Sequence, residues 1–262
     1  MTIPYCDISL NPVVGCSPVG EACRFCWSKK LHDMRHKLYL QGRLQNCPQY
    51  AKPFSEIQLF SERLDEIKTW RKPKVVFVCS GSDLFHEKVP DKFIVEIFNK
   101  MLYWNYHTFL VLTKRIKRAA DFLIEHFPPD DITQQANIFL GISVWNQESA
   151  NRDIPILLNC WKGKTWVSAE PLLGNVDLEF PYGQGVGELA IERLNQVVVG
   201  AESGSNRRYC PENWIRNIAR QCDAAGVPCY VKQIARSDGK VITDPSKFPL
   251  DLQKYRQLVW RK

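Results

Sequence analysis

Short apolar segments alternate with amphipathic segments along most of this chain, and the alternation predicts an α/β fold. Seven apolar runs recur, each followed by polar residues and then, in most cases, by apolar positions at helical spacing. The run at residues 74–79 is apolar almost throughout, which is typical of a strand in a parallel sheet that is covered on both faces. The predicted strands are residues 5–14, 74–79, 107–112, 137–143, 164–168, 196–200 and 227–232.

Apolar positions at helical spacing predict helices between these strands. The predicted helices are residues 27–40, 61–70, 91–104, 116–127, 147–160 and 211–225. A repeated strand, loop and helix gives a parallel sheet with right-handed crossovers, and no segment indicates a second domain. We therefore expect one domain over residues 1–262, with an irregular insertion at about 174–194 and a polar tail at about 234–262 that wraps the outside.

Polar and ionisable residues follow the C-terminal end of each predicted strand. Parallel strands end at the same edge of a sheet, and α/β proteins hold their active sites at that edge, so we expect a site there. The alternative is that these residues are polar only because they lie in loops. They are Ser80, Ser82, Asp83, Thr113, Lys114, Arg115, Ser143, Asn146, Glu170, Glu202, Ser203, Lys232 and Gln233, together with three cysteines after the first strand.

The composition is that of an ordinary globular protein with a moderate excess of positive charge. Of the 262 residues, 45% are hydrophobic, and 35 Lys and Arg against 28 Asp and Glu leave a net charge of +7. This excess favours a polyanionic partner. No apolar run approaches the roughly 20 residues of a membrane span, and the N-terminus does not resemble a signal peptide. We expect a cytoplasmic protein, in which the ten cysteines stay reduced.

Three of the cysteines have the spacing of metal ligands. Cys16, Cys23 and Cys26 follow the first strand as C-x6-C-x2-C. Thiolates select zinc, copper(I) or iron–sulfur clusters, and three in one loop leave a coordination position open. The spacing leaves three interpretations: a catalytic iron–sulfur cluster, a structural zinc site with Cys6 or His32 as fourth ligand, and chance clustering of buried thiols.

A three-cysteine loop at the end of the first strand of a barrel-like sheet resembles the plan of the radical S-adenosylmethionine superfamily. Phe25, just before the last cysteine, extends the resemblance, whereas the six-residue first gap is longer than the common C-x3-C-x2-C spacing. Further strings resemble a three-cysteine subfamily associated with phages and prophages, whose function is largely unassigned. They are Asn11-Pro-Val-Val-Gly-Cys16, Ser82-Asp-Leu-Phe-His86, Leu112-Thr-Lys-Arg115, Ser168-Ala-Glu-Pro-Leu-Leu-Gly174, Gly200-Ala-Glu-Ser-Gly204 and Val231-Lys-Gln233.

The resemblance implies a partial (β/α)6-type parallel barrel with an added seventh strand and a C-terminal extension. It implies that Cys16, Cys23 and Cys26 bind three irons of a [4Fe–4S] cluster and that the fourth iron takes S-adenosylmethionine. Reductive cleavage of this cofactor would give a 5′-deoxyadenosyl radical, which abstracts a hydrogen atom from the substrate. A reductant such as a flavodoxin or ferredoxin would supply the electron.

The resemblance also assigns cofactor contacts to residues after the second and fourth strands. The superfamily places a backbone segment that receives the methionyl amine after the second strand, where glycine permits close approach. It often places contacts to the ribose after the fourth strand. A plain strand-to-helix turn, with Asp83 as its cap, is the alternative for the first segment. The candidate cofactor-binding residues are Phe25, Ser80, Gly81, Ser82, Asp83, Ser143 and Asn146.

Glu170 and Glu202 end the fifth and sixth strands and form an acidic pair in the predicted site. Such a pair could hold an ammonium group, the ribose hydroxyls or a substrate base, and we take both glutamates and Lys114 as candidate catalytic residues. The alternative is an ion pair of the glutamates with Lys114, Arg115 or Lys232.

The combined prediction is a radical S-adenosylmethionine enzyme that modifies or repairs a nucleic-acid base, nucleoside or nucleotide. The basic balance and the Lys and Arg residues at strand ends favour a nucleic-acid-related substrate. The first alternative is a zinc-stabilised nucleic-acid-binding module without radical chemistry. The second is a barrel that has lost its chemistry and binds a partner.

Overall fold

The computed structural model describes residues 3–128, 137–182, 187–204, 206–236 and 240–261, and it contains the predicted alternation of strands and helices. The strands are β1 (Ile8–Leu10), β2 (Val13–Val14), β3 (Gln58–Leu59), β4 (Val75–Val78), β5 (Thr108–Thr113), β6 (Ile138–Val144), β7 (Lys164–Ala169), β8 (Gln196–Gly200), β9 (Cys229–Ala235) and β10 (Val241–Ile242). The α-helices are α1 (Trp27–Leu40), α2 (Asp91–Tyr103), α3 (Ile116–His126), α4 (Gln147–Cys160), α5 (Glu212–Ala225) and α6 (Leu250–Gln253). None of the described helices combines the length and the apolar character that crossing a membrane requires.

Eight strands form one sheet in the order β1-β4-β5-β6-β7-β8-β9-β10. Each neighbouring pair from β1 to β9 is parallel, and β10 forms a hairpin with β9. The predicted α/β class and the seven parallel strands are therefore confirmed, and the sheet is consistent with a partial barrel. The segment predicted as a helix at residues 61–70 is a 3₁₀ helix, Ser61–Thr69.

The first strand is shorter than the predicted 5–14 because the chain leaves the main sheet after Leu10. Pro12 has no N–H group to donate to a ladder, so parallel pairing with β4 stops there. Val13 and Val14 form β2, which pairs with β3 in a separate two-stranded sheet. The carbonyl of Pro12 accepts a hydrogen bond of 2.8 Å from the Phe60 N–H. This departure carries the chain into the cysteine loop.

Successive side chains of each strand alternate between two hydrophobic clusters, as the period of two requires. The larger cluster contains the apolar faces of the helices and the outward residues of the strands. In the smaller, inner cluster, Trp166 fits because residue 141 is glycine: a Cβ at Gly141 would lie 2.3 Å from Trp166 Nε1. The inner cluster contains Tyr5, Val75, Phe77, Leu110, Phe139, Trp166, Val198, Tyr230 and Trp260.

The tail enters the core, whereas its polarity predicts an outside position. Trp260 is buried in the inner cluster, and its Nε1 donates to the Tyr5 carbonyl at 3.0 Å. Tyr255 donates its hydroxyl to Asp223 of α5 at 2.7 Å. Trp260 and Tyr255 thus hold the tail against the inner cluster and α5. Residues 183–186 of the predicted insertion, and residues 237–239 and 262 of the predicted tail, lie outside the described residues.

Candidate active site

The C-terminal ends of the parallel strands surround a cavity of about 720 Å³, a size typical of small-molecule and cofactor sites. The three loop cysteines line one part of it, and polar residues after the strands line the rest. The structure thus brings together predicted site residues that are up to 186 positions apart in the sequence, from Cys16 to Glu202. The predicted site residues that line the cavity are Cys16, Cys23, Cys26, Phe25, Ser80, Gly81, Ser82, Asp83, Lys114, Ser143, Glu170 and Glu202.

The start of the cysteine loop is fixed by main-chain contacts with the segment before β3. Gly15 has a φ of +95°, and a Cβ there would lie 2.3 Å from the carbonyl oxygen of Glu56. Only glycine accommodates both the conformation and the close approach. The next residue, Cys16, donates its N–H to the Phe54 carbonyl at 2.8 Å. These main-chain contacts therefore fix the position of Cys16 independently of any ligand that its side chain binds.

Cys26 occupies the N-cap position of α1. The N-terminal end of a helix carries a partial positive charge, which favours negative charge bound there. Ser28, in the first turn, donates its hydroxyl to the Gly81 carbonyl at 2.5 Å. The helix that presents the third cysteine is thereby joined to the segment after β4.

Arg115, which directly precedes α3, is buried against the first cysteine. Its Nη1 donates to the Cys16 sulfur at 3.7 Å and to Asp83 Oδ2 at 3.3 Å, and its Nη2 donates to the Ser17 carbonyl at 2.9 Å. Burial raises the pKa of the Cys16 thiol to about 11, the Asp83 carboxylate raises it too, and the Arg115 guanidinium opposes both. A cation held at this sulfur favours the thiolate that a metal requires.

The hydroxyls after β4 are engaged with the segment that follows β1. Ser80 donates to Asn11 Oδ1 at 3.1 Å, and Ser82 donates to the Val13 carbonyl at 2.8 Å. Gly81, between them, is the residue whose carbonyl accepts from Ser28. The two serine side chains therefore position this backbone at the cavity wall, and their own contact with a cofactor stays a prediction.

Asp83 joins the ends of β4 and β5. Its buried carboxylate accepts from the Thr113 hydroxyl at 2.7 Å and from the N–H groups of Phe85 and Lys114 at 3.0 and 3.1 Å. With Arg115 it has four donors within the chain. The capping role kept open by the sequence is present in this structure. A contact between Asp83 and a cofactor amine stays a prediction.

Glu170 and Lys232 form an ion pair at the cavity wall, which is one of the pairings that the sequence left open. Lys232 Nζ lies 3.0 Å from Glu170 Oε1, and the Ser168 hydroxyl donates to Oε2 at 3.2 Å. Among the described residues, neither Glu170 Oε1 nor the buried Ser143 hydroxyl has an aligned hydrogen-bond partner. Buried polar atoms are rarely left without a hydrogen-bond partner, so these two atoms have the capacity to bind a ligand.

Glu202 is bound by Arg208, a partner that the sequence did not indicate, through donors at the main chain and at Nε, both at 2.9 Å. Arg208 also lies over the Phe25 ring, 5.3 Å from its centre. Lys114 lines the cavity, and within the described part of the chain its ammonium group has no ion-pair partner. Of the three candidate catalytic residues, Lys114 is the one whose charge is not neutralised.

Asn146 lies outside the cavity lining, in contrast to the predicted ribose contact. Its Oδ1 accepts from the Ser149 N–H at 3.0 Å, and the Ser149 hydroxyl accepts from the Asn146 N–H at 3.1 Å. The two residues form a capping box for α4. Asparagine is among the preferred N-cap residues, so the capping interaction explains its place after the strand.

Ser17 and His86 complete the surroundings of the first cysteine, and sequence reasoning did not identify their contact. His86 Nε2 lies 2.8 Å from the Ser17 hydroxyl, and the Lys88 N–H donates to His86 Nδ1 at 3.1 Å. Because Nδ1 accepts, Nε2 carries the proton and donates to Ser17. The sequence signal was the string Ser82-Asp-Leu-Phe-His86 after the second strand, and it does not indicate a partner 69 residues away.

The two residues considered as the fourth ligand of a zinc site, Cys6 and His32, have other contacts in the described part of the chain. A tetrahedral zinc with thiolates at about 2.3 Å places its sulfurs about 3.8 Å apart. Among the described residues, the three-ligand group within 4.8 Å is Asp91, Glu125 and His126, and it excludes the loop cysteines. Of the proposed fourth ligands, Cys6 donates to the Ile3 carbonyl at 3.7 Å, and His32 Nε2 lies 2.9 Å from the Lys52 carbonyl. Neither Cys6 nor His32 lines the cavity.

Comparisons with known proteins give a family and a set of solved structures. A family model described as "Protein of unknown function (DUF5131)" matches residues 1–248. No curated protein gives a significant match. A mutant of spore photoproduct lyase aligns with a TM-score of 0.44 and 13% identity, covering 90% of this chain and 66% of the other.

Two further structures of spore photoproduct lyase are similar to this chain. A mutant with bound AdoMet and dinucleoside spore photoproduct aligns with a TM-score of 0.41 and 10% identity, over 81% of this chain and 60% of the other. A complex with dinucleoside spore photoproduct aligns with a TM-score of 0.41 and 13% identity, over 84% and 62%. The chain thus spans between 60% and 66% of the length of these solved chains.

Proposed function

The chain belongs to the family described as "Protein of unknown function (DUF5131)", and we propose that it is a radical S-adenosylmethionine enzyme. Its proposed substrate is a nucleic-acid base, nucleoside or nucleotide, which it modifies or repairs. One observation carries the proposal: Cys16, Cys23 and Cys26 line a single cavity at the C-terminal ends of the parallel strands. Three thiolates beside an enclosed space leave one metal position open to a second ligand.

The residues around the cysteines fit a bound iron–sulfur cluster. Cys26 lies at the positive end of α1, and Arg115 donates to the sulfur of Cys16. Both contacts compensate the negative charge that thiolate ligands bring to a buried site. Cys16, Cys23 and Cys26 would hold three irons of the proposed [4Fe–4S] cluster, and the cavity beside them would hold S-adenosylmethionine.

When bound, the cluster and S-adenosylmethionine would together supply a 5′-deoxyadenosyl radical for hydrogen abstraction. The chain's own part is to bind and orient the cofactor and substrate and to exclude water. The backbone of residues 80–82 would receive the methionyl amine. The Ser143 hydroxyl and Glu170 Oε1, which have no aligned partner among the described residues, would bind cofactor or substrate hydroxyls and amines.

Positive charge and an aromatic surface beside the cavity support a nucleic-acid-related substrate. The Phe25 ring lines the cavity, with the guanidinium groups of Arg24 and Arg208 each 5.3 Å from its centre. Aromatic rings and guanidinium planes are the surfaces on which unpaired bases stack. Lys114 adds an ammonium group at the same wall. The net charge of +7 attracts a polyanion.

The proposal extends to the setting of the reaction. A flavodoxin- or ferredoxin-type protein would supply the electron, in the cytoplasm, where thiol groups stay reduced. All ten cysteines are free in the structure. The association with phages stays a prediction from the resemblance.

Anaerobic reconstitution of the wild-type protein tests the proposal. We expect a brown protein with about four irons and four sulfides per chain, which releases 5′-deoxyadenosine when it is reduced with S-adenosylmethionine. A panel of nucleosides, nucleotides and short single-stranded oligonucleotides then tests the substrate class through stimulated release. A colourless protein that holds one zinc per chain and binds oligonucleotides without S-adenosylmethionine would replace the proposal by the zinc-module alternative.

A further inference from the structure

We propose that Arg115 is a positioning residue that raises the reduction potential of the proposed cluster by donating a hydrogen bond to the sulfur of Cys16. The inference rests on the proposed function, because it concerns the cluster that the three cysteines would hold. It goes beyond that function by assigning control of the cluster to a residue that is not a metal ligand.

The guanidinium group of Arg115 is fixed by bonds from each of its three nitrogens. Nε donates to both carboxylate oxygens of Glu87, at 2.9 and 3.0 Å. Nη1 donates to Asp83 Oδ2 at 3.3 Å and to the Cys16 sulfur at 3.7 Å. Nη2 donates to the carbonyl and the hydroxyl of Ser17, at 2.9 and 3.0 Å. The side chain is 4% exposed, so its charge is weakly screened by water.

The contacts of Arg115 also fix the start of the long first gap. Ser17, the first residue after Cys16, receives Arg115 Nη2 at both of its oxygens and the proton of His86 Nε2 at its hydroxyl. Asp83, which orients Nη1, is itself held by Thr113. The unusual spacing therefore does not leave the first ligand unsupported. This buried network orients the Cys16 sulfur and the Arg115 guanidinium group towards each other.

This geometry has a direct electrostatic consequence for the cluster. Reduction adds negative charge, so a buried cation and an N–H···S bond stabilise the reduced form more than the oxidised form. Contacts outside the metal ligands are known to tune metal centres in this way. A lysine cannot reproduce the effect, because a single ammonium group cannot donate to Glu87, Asp83, Cys16 and Ser17 in the plane of a guanidinium group.

The test compares the midpoint potentials of reconstituted proteins by electron paramagnetic resonance during redox titration. Arg115→Lys and Arg115→Met are expected to lower the potential, with the larger shift in Arg115→Met, which removes the charge. Arg118→Lys is the matched control: it lies on α3 and pairs with Asp91 outside the cavity lining, so its potential should equal that of the wild type.

A second variant, at an exposed partner of Arg115, covers the case in which replacing the buried arginine prevents cluster binding. Glu87→Gln keeps Arg115 and all ligands, and its side chain is 61% exposed, so folding should be unaffected. It loosens Nε and should shift the potential by less than the Arg115 variants. Equal potentials in wild type, Arg115→Lys and Glu87→Gln would overturn this inference alone. A wild type that binds no iron–sulfur cluster would overturn the proposed function, and this inference with it.

Discussion

Glu202 and Arg208, both in the loop after β8, form an ion pair that also contacts the cysteine loop after β2. We call this arrangement the clamp. Glu202 Oε2 accepts both the main-chain N–H and the Nε–H of Arg208, each at 2.9 Å. Arg208 in turn donates to the Glu21 carbonyl at 3.1 Å, across 187 residues of sequence. The carboxylate side chain is 5% exposed and the guanidinium side chain 22%, so water screens the pair weakly. The clamp therefore holds the second half of the cysteine loop against the sheet.

Replacing Glu202 by Gln should weaken this clamp. The amide oxygen of Gln can still accept hydrogen bonds, but Arg208 loses its charged partner, so we expect the free energy of unfolding to fall by about 1–3 kcal/mol. Urea unfolding monitored by circular dichroism measures this free energy. The matched control is Glu188→Gln, which removes the exposed pair with Arg193 and should cost less than about 1 kcal/mol. Equal costs for the two variants would contradict the clamp.

Replacing Gly15 by Ala should disturb the position of the first cysteine. The added Cβ would lie 2.3 Å from the Glu56 carbonyl, at a φ of +95° that alanine disfavours. Gly42→Ala is the matched control, because Gly42 also has a positive φ, +76°, with no atom within 4 Å of the added Cβ. We expect Gly42→Ala to cost about 1 kcal/mol and Gly15→Ala clearly more, by urea unfolding. Gly15→Ala should also bind less iron, and a cost equal to that of Gly42→Ala would contradict the close packing.

The fold was predictable from sequence because each strand carries its own local signal. The run at 74–79 needs burial on both faces wherever it lies, and the polar residues that follow the strands must then meet at one edge. Cys16, Ser143 and Glu170 follow different strands and line one cavity, as this rule predicts. The break after Leu10 was also readable in principle, since Pro12 cannot extend the ladder, although the prediction ran the strand to residue 14.

The partners of the site residues were not predictable, because they are decided by tertiary packing. Glu202 meets Arg208 and not the lysines and arginine considered for it, and no spacing rule relates Arg115 to Ser17 across 98 residues. Asn146 shows that even a local role can be ambiguous in the sequence. A polar residue after a strand suits a ligand contact and a helix cap equally well, and in this structure Asn146 caps α4. The tail shows the same limit of sequence reasoning, since Phe248, Tyr255 and Trp260 are buried although the tail is polar in composition.

If the proposed cluster is bound, removing any of the three loop thiols should remove most of its iron. Cys16→Ser, Cys23→Ser and Cys26→Ser each leave two soft ligands, which is too few to hold a [4Fe–4S] cluster firmly. Iron and sulfide analysis after anaerobic reconstitution measures the loss. Cys47→Ser is the control, because Cys47 is partly buried and does not line the cavity. Wild-type iron content in Cys23→Ser would contradict the assignment of the ligands.

Adding a methyl group at Gly141 should overpack the inner cluster. The Cβ would lie 2.3 Å from Trp166 Nε1, so the indole must shift against its neighbours, at a cost of about 1–3 kcal/mol in unfolding free energy. Trp166→Phe makes room for the methyl group. In a double-mutant cycle, Gly141→Ala should therefore cost less in the Trp166→Phe background than in the wild type. Additive costs would show that the two residues do not constrain each other.

The Glu170–Lys232 pair allows structural and functional roles to be separated. Lys232→Met leaves the Glu170 carboxylate, whose side chain is 10% exposed, without its cation, so we expect a loss of about 1–3 kcal/mol in unfolding free energy. The double variant Glu170→Gln/Lys232→Met removes both charges and should regain stability to within about 1 kcal/mol of the wild type, because a neutral pair needs no compensation.

Activity should not follow stability in this double variant. If the pair binds the cofactor or the substrate, release of 5′-deoxyadenosine should fall about tenfold or more in both the single and the double variants, with iron content unchanged. A double variant that is stable and fully active would show that Glu170 and Lys232 only hold β7 to β9. A stable double variant with intact iron and reduced release would instead place the pair in the reaction, because restored packing cannot account for the remaining loss.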